Sequence, residues 1–353
     1  MSSDIMTPAP LPPIAPIKEV QVTPPSPHQH KRQFAESRAR SRRFWEWIIE
    51  HILMVIGLMA VAAVVLVLLF MLRDALPLFF KDKLPLHTFL FGTEWRPISV
   101  PEQYGIWALI MGTTIVTVGA SVIAIPLGFA CAVYLAELAP RMVREFFKPV
   151  VELLAAVPSV VMGFIGYALV SMWVRHTLKL NVGLCALTAV ILLALMALPT
   201  IISIAEDAIT AVPRSYREGS MALGASLLAT IRHAILPAAG SGLVAAAMLG
   251  IGRALGETMV VLMVAGNSIE VPLGFLGQPD LTLWNKLAML IGSGFGLFNP
   301  ARTMTATIAS EMGEVAVGST HYHALFAVGA LLVLMSLTIT LISDFALRRV
   351  KKS

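Results

Sequence analysis

The sequence predicts an all-α integral membrane protein with six transmembrane helices, and three observations carry that prediction. Hydrophobic residues make up 57% of the 353-residue chain and charged residues only 13%, with a mean hydropathy of +0.80. A soluble domain keeps about a quarter of its residues charged, so that class is excluded. Six apolar stretches, at about 48–72, 105–135, 149–172, 181–204, 237–265 and 323–343, match the roughly 20 residues that a spanning helix needs. Lys and Arg, finally, alternate in density between the polar segments that join those stretches. Lipid offers no partner to backbone N–H and C=O groups, so each stretch must close its hydrogen bonds internally, as a helix.

In chain order, residues 1–45 form a polar tail and residues 46–353 the membrane domain. Eight prolines fall in residues 1–30 and six Lys or Arg in residues 31–43. The tail therefore reads as a disordered Pro-rich part followed by a basic juxtamembrane segment. The first apolar stretch begins near Ile48, too late for a cleavable signal peptide, and is expected to remain as an anchor. Pro126, Pro158 and Pro199 lie in the second, third and fourth stretches, where each removes a backbone donor and favours a kink. Glycines 240, 242, 250, 252 and 256 recur along the fifth and permit close helix contact. Beyond it, residues 281–291 are apolar but too short to span, and an interfacial or re-entrant helix on the outer side is expected there. Residues 292–296 have the glycines of a phosphate-cradling loop but follow no strand, and read as a turn.

The net charge of +5 and pI near 9.4 do not indicate a nucleic-acid binder, because most basic residues flank the apolar stretches. Lys and Arg number 17 in the tail, residues 136–148, residues 205–236 and the C-terminal segment, against 8 in the intervening polar segments. The positive-inside rule then puts both termini and the 205–236 loop in the cytoplasm. Cys131 and Cys185 sit in apolar stretches without CxxC spacing and read as packing residues.

Within the fifth stretch, Arg253 and Glu257 stand four residues apart. On a continuous helix they share one face. Each charge costs about 2.5–3.5 kcal/mol at the bilayer centre, so the pair is expected to face protein or a water-filled path. Two readings follow: a route for something polar, or an intrahelical salt bridge that serves packing.

The loop after the fourth stretch is patterned. Glu218 is followed by Gly224 six residues on, and Leu236-Pro237 closes the segment. This spacing resembles the permeases of ABC importers, whose loop reads Glu-Ala-Ala, three residues, Gly, nine residues, Ile, one residue, Leu-Pro. Gly219 and Ser220 stand in place of the two alanines and Ala234 in place of the isoleucine. The resemblance implies a MetI-like six-helix permease whose cytoplasmic coupling helix docks in a groove of a separate ATPase, with Glu218, Gly224, Leu236 and Pro237 as the coupling residues. No GxxxxGK[ST] phosphate loop occurs in the chain, so no cofactor is expected on it, and ATP and Mg are expected on the partner ATPase.

Further stretches narrow the resemblance. Residues 104–107 (YGIW), 134–140 (YLAELAP), 152–163 (ELLAAVPSVVMG), 252–258 (GRALGET) and 303–314 (TMTATIASEMGE) are similar to phosphate importer permeases of the PstC type. Sulfate and molybdate permeases share the Arg-Ala-Leu/Ile-Gly-Glu core but usually carry an aromatic residue where this chain has Thr258. The resemblance implies a non-catalytic subunit that passes inorganic phosphate across a bacterial inner membrane. Its implied partners are a second permease of the PstA type, a dimeric ATPase of the PstB type and an external phosphate-binding protein of the PstS type. A permease for another oxyanion is the alternative.

A bound oxyanion needs donors, and Arg253 is the one basic residue within a predicted span. Glu257 is expected to hold it in position and temper its grip, and Ser159 is a lesser pathway donor or a packing residue. An intramembrane enzyme would need a nucleophile with its base, or paired metal ligands, within the spans; His321 and His323 at the outer mouth do not supply these.

Overall fold

The computed structural model describes residues 27–269 and 296–350. The short apolar segment 281–291 and the glycines at 292 and 294 lie outside the described residues. The chain divides into two units, residues 1–65 and 66–353. Helix α1 (Pro27–Phe80) already includes the basic segment, so the helix starts well before the expected tail boundary at residue 45. No proline falls between Pro27 and Pro77, and the sequence AESRARSRR is rich in helix formers. Residues 1–26 are outside the description. The apolar window of α1 within Glu46–Phe80 has a mean hydropathy of 3.2 and no buried residue, which suits a helix that faces lipid or another subunit.

The second unit continues with α2 (Leu86–Phe91) and an antiparallel hairpin of β1 (Trp95–Arg96) and β2 (Gln103–Tyr104), with Trp95 opposite Tyr104. Then come α3 (Trp107–Val133), extended by a π turn over Tyr134–Leu138, and α4 (Arg141–Ala155). Helices α5 (Ser159–Ile165) and α6 (Ser171–Leu178) run on through a π turn over Gly166–Val170. The long α7 (Ala186–Thr210) leads to α8 (Arg214–Ala222) and α9 (Leu227–Thr230), the latter with a π turn over Ile231–Ile235. Helices α10 (Leu236–Ala238), α11 (Gly240–Gly256), α12 (Met259–Val264), α13 (Met304–Glu311) and α14 (Thr320–Val350) complete the described part.

Among the described residues, four helices are long and apolar enough to cross a membrane: Glu46–Phe80, Trp107–Leu138, Ala186–Thr210 and Thr320–Ile342. Two bent pairs raise the number to six. These pairs change two of the predicted spans. The third does not run straight from residue 149 to 172, because α4 meets α5–α6 at 93°. Pro158 sits at that corner, where it lacks the N–H that would extend α4 and drives Val157 away from helical geometry. The fifth is not one helix over 237–265 either. A bend of 73° separates Leu227–Ala238 from Gly240–Gly256, and α11 stops again at Gly256. By contrast, α3 and α7 continue through Pro126 and Pro199.

Helix α7 is the axis of the unit: 61% of its most apolar window is buried, against 28% for α14. Its core is shared with α3, α11 and α12 through Val190, Leu193, Ala197 and Ile201. Close approach depends on small residues, as expected where lipid removes any hydrophobic drive between helices. Ile201 occupies the space beside both Gly128 of α3 and Gly250 of α11, so that a Cβ on either would come within 2.6 Å of its side chain. A second cluster, including Leu78, Trp95, Ile106 and Leu325, joins the hairpin to α14. A third, including Ala132, Ile209, Val212 and Ile235, closes the end of the bundle beside α8.

Candidate functional site

Arg253 lies in the last turn of α11 and reaches towards the middle of α7 and the end of α4. Its Nη1 donates to Thr200 Oγ1 at 3.4 Å, next to Pro199 in α7, and its Nη2 donates to Ala155 O at 3.4 Å, the last residue of α4. Both contacts are at the long edge of hydrogen bonding. Its Nε is buried with no hydrogen-bond partner among the described residues. A buried donor left unpaired costs about 1–3 kcal/mol, so this guanidinium keeps unspent capacity at the meeting of α4, α7 and α11.

Glu257 does not share a helix face with Arg253, and the sequence reading is corrected here. The helix ends at Gly256, and Glu257 takes an extended backbone (φ −73°, ψ 129°). Its Oε1 accepts from Thr258 N at 3.2 Å and from Val260 N at 3.5 Å, capping the start of α12. A carboxylate competing for nearby amides, after a glycine with poor helix propensity, explains why the apolar run breaks there. Among the described ion pairs none joins Arg253 to Glu257. Both the intrahelical salt bridge and the expectation that Glu257 positions Arg253 therefore fail. Ser159 opens α5 just beyond the α4–α5 corner, partly buried, with Ala155 O four residues back occupied by Arg253.

Sequence reasoning missed Thr200 and Thr305. Thr305 Oγ1 donates to Glu257 O at 3.1 Å and so closes on the α11–α12 break. The alternation Thr303, Thr305, Thr307 was visible, but nothing in it indicated which helix break it would meet. Equally unforeseen was Glu206 of α7, almost wholly buried and held by Arg144 Nη2 at 2.8 Å and Lys148 Nζ at 3.5 Å, which bolts α4 to α7.

The loop motif forms a separate site. Helix α8 carries Glu218 on an exposed face and ends in Gly224 at φ +85°. Gly224 N donates to Met221 O at 2.9 Å and Ala225 N to Ser220 O at 3.3 Å. This is the Schellman closure of a helix, which calls for the left-handed conformation that glycine adopts without strain. No atom lies within 4 Å of where a Gly224 Cβ would stand. Leu236 and Pro237 start α10, where proline's missing N–H matters least. Pro237 also lines an open cleft of about 1120 Å³ with Tyr216, His233 and Gly242.

A bundle of broken spanning helices around an under-bonded arginine, with a short helix presented at one end, defines a membrane permease. A family profile described as "Binding-protein-dependent transport system inner membrane component" matches residues 124–353, and the chain belongs to that family. Such permeases are non-catalytic and work with an ATPase and a substrate-binding partner. The chain is similar to the "Probable ABC transporter permease protein YqgH" of Bacillus subtilis, 35% identical over 83% of this chain and 88% of that one. It is also similar to the "Phosphate transport system permease protein PstC" of Mesorhizobium japonicum (32%, 82% and 88%) and of Haemophilus influenzae (30%, 75% and 82%). Among solved structures, the inward-facing MetNI methionine ABC transporter aligns over 69% of this chain and 97% of its own, with a TM-score of 0.50 at 18% identity, which supports the MetI-like fold.

Proposed function

We propose that this chain is the membrane-spanning permease subunit of an ATP-driven importer that carries inorganic phosphate into a bacterial cytoplasm. It sits in the inner membrane with both termini inside. The observation that carries this reading is the guanidinium of Arg253, which has two long contacts and one unpaired buried nitrogen at the junction of three helices. A passing oxyanion can take up those donors through charge-assisted hydrogen bonds. A site made of one cation and hydroxyls such as Ser159 and Thr200 holds the anion loosely enough to release it. Glu257 acts at the neighbouring break, where its negative charge discourages the anion from lodging. Phosphate as the cargo is supported by the names of the relatives from Mesorhizobium japonicum and Haemophilus influenzae.

The partners are a second permease of the PstA type, two copies of a PstB-type ATPase and a PstS-type phosphate-binding protein. ATP and Mg act on the ATPase, and Glu218, Gly224, Leu236 and Pro237 form the surface that receives its motion. The test is uptake of labelled phosphate by cells that make this chain with its partners. Uptake should persist under excess sulfate or molybdate; competition by either anion at equal concentration would reassign the cargo.

A further inference from the structure

We propose that Arg217 and Glu137 form the strut that passes the movement of α8 into the bundle; the inference rests on the importer reading above. Arg217 of α8 bonds to the ends of two spans. Its Nε donates to Glu137 Oε1 at 3.0 Å and Oε2 at 3.2 Å, its Nη1 to Val212 O at 2.6 Å, and its Nη2 both to Glu137 Oε1 and to Ile209 O, the latter at 3.0 Å. Glu137 lies in the π turn that ends α3, and Ile209 and Val212 lie in and just after the last turn of α7. One planar guanidinium therefore holds three elements at once: the coupling helix, the end of α3 and the end of α7.

The rest of α8 is arranged for the opposite task. Arg214, Tyr216, Glu218, Met221 and Leu223 are exposed, while Arg217 and Ser220, three residues apart, turn inwards. The second inward contact, Ser220 Oγ to Thr230 Oγ1 at 2.9 Å, is neutral and leads only to α9. The Arg217 and Glu137 side chains are 21% and 7% exposed, so water screens their attraction little. The paired Glu137 carboxylate, offset in part by burial, raises the pKa of Arg217 above its ordinary value, and the guanidinium stays charged throughout. A planar, bidentate pair resists both pulling and twisting, as a transmitting link must. Among the described side-chain hydrogen bonds and ion pairs, Arg217 alone joins α8 to the ends of α3 and α7.

The test uses the complete complex and reads two quantities, ATPase co-purification and phosphate ions carried per ATP hydrolysed. Glu137→Gln keeps the shape and removes the charge. Arg217→Lys keeps the charge but cannot reach Glu137 and both carbonyls together. The ATPase should co-purify with both variants at the wild-type level, while phosphate carried per ATP falls at least tenfold in Glu137→Gln and by a smaller factor in Arg217→Lys. An unchanged ratio in either assembled variant overturns the inference. So does loss of the ATPase, or of the permease from the membrane, in both variants, because the pair would then serve docking or folding. Failure of the importer reading shows elsewhere, in a wild-type complex that carries no phosphate; the strut is then judged by the same ratio for whichever anion that complex does carry.

Discussion

A guanidinium among helices is stable only if its donors are used, and Arg253 uses them poorly. Its long bonds to Thr200 and Ala155 orient the side chain without saturating it. Arg253→Gln should cut phosphate uptake at least tenfold while the complex still assembles, since no described ion pair depends on it; normal uptake measured with labelled phosphate would make it a packing residue. Glu257→Gln retains an oxygen for the Thr258 and Val260 amides and removes only charge. Reduced uptake in that variant, with an intact complex, is the expected result, and unchanged uptake would restrict Glu257 to capping α12. Glu206 behaves differently. Its buried carboxylate ties α4 to α7 through Arg144 and Lys148, which are themselves 36% and 37% exposed, so Glu206→Ala should lower the thermal midpoint of the detergent-solubilised complex, whereas the exposed Glu218→Ala should not. Arg253 was legible in the sequence because a charge inside an apolar run stands out. Thr200 was not, because a hydroxyl beside proline in a span is ordinary until the fold brings the arginine to it.

At the scale of elements, the helix breaks matter more than the helices. The Pro158 corner, the Ala239 bend and the Gly256 stop all lie where a straight reading of hydropathy runs on. Hydropathy detects apolar length, and length is indifferent to a turn of 93° within it. The proline at 158 did signal its break, whereas Pro126 and Pro199, chemically identical, lie inside continuous helices because the packing of α3 on α7 keeps them helical. The stop at Gly256 was hidden by a tempting i, i+4 pair. The end of α8 was readable, since the loop motif carries its glycine at position 224 and Gly224 has φ +85°. Gly224→Asp should leave the permease inserted, because no described atom lies within 4 Å of where its Cβ would stand. Backbone strain of about 1 kcal/mol and a charge projecting towards the docking partner should instead detach the ATPase, which co-purification measures. Full recovery of the ATPase with Gly224→Asp would remove α8 from the coupling role.

For the whole molecule, the distribution of basic residues predicts a direction. In a chain with Cys131 and Cys185 replaced by alanine, a cysteine at Ser220 should resist a membrane-impermeant thiol reagent applied to intact cells. One at Ile98, fully exposed between β1 and β2, should react; the reverse pattern would invert the topology. The six-span plan was legible because apolar length and charge asymmetry are local properties of sequence. How the helices of the second unit pack around α7 was not, because Gly128, Gly250 and Ile201 become partners only when three distant helices meet. The proposed function is inward movement of phosphate coupled to hydrolysis on a separate subunit. It is tested most directly in proteoliposomes holding the two permeases and the ATPase dimer, with phosphate-loaded binding protein outside and ATP within. Phosphate accumulation against its gradient, dependent on ATP and lost in Arg253→Gln, is the predicted result; ATP-independent equilibration of phosphate, or none in the wild-type complex, would contradict it.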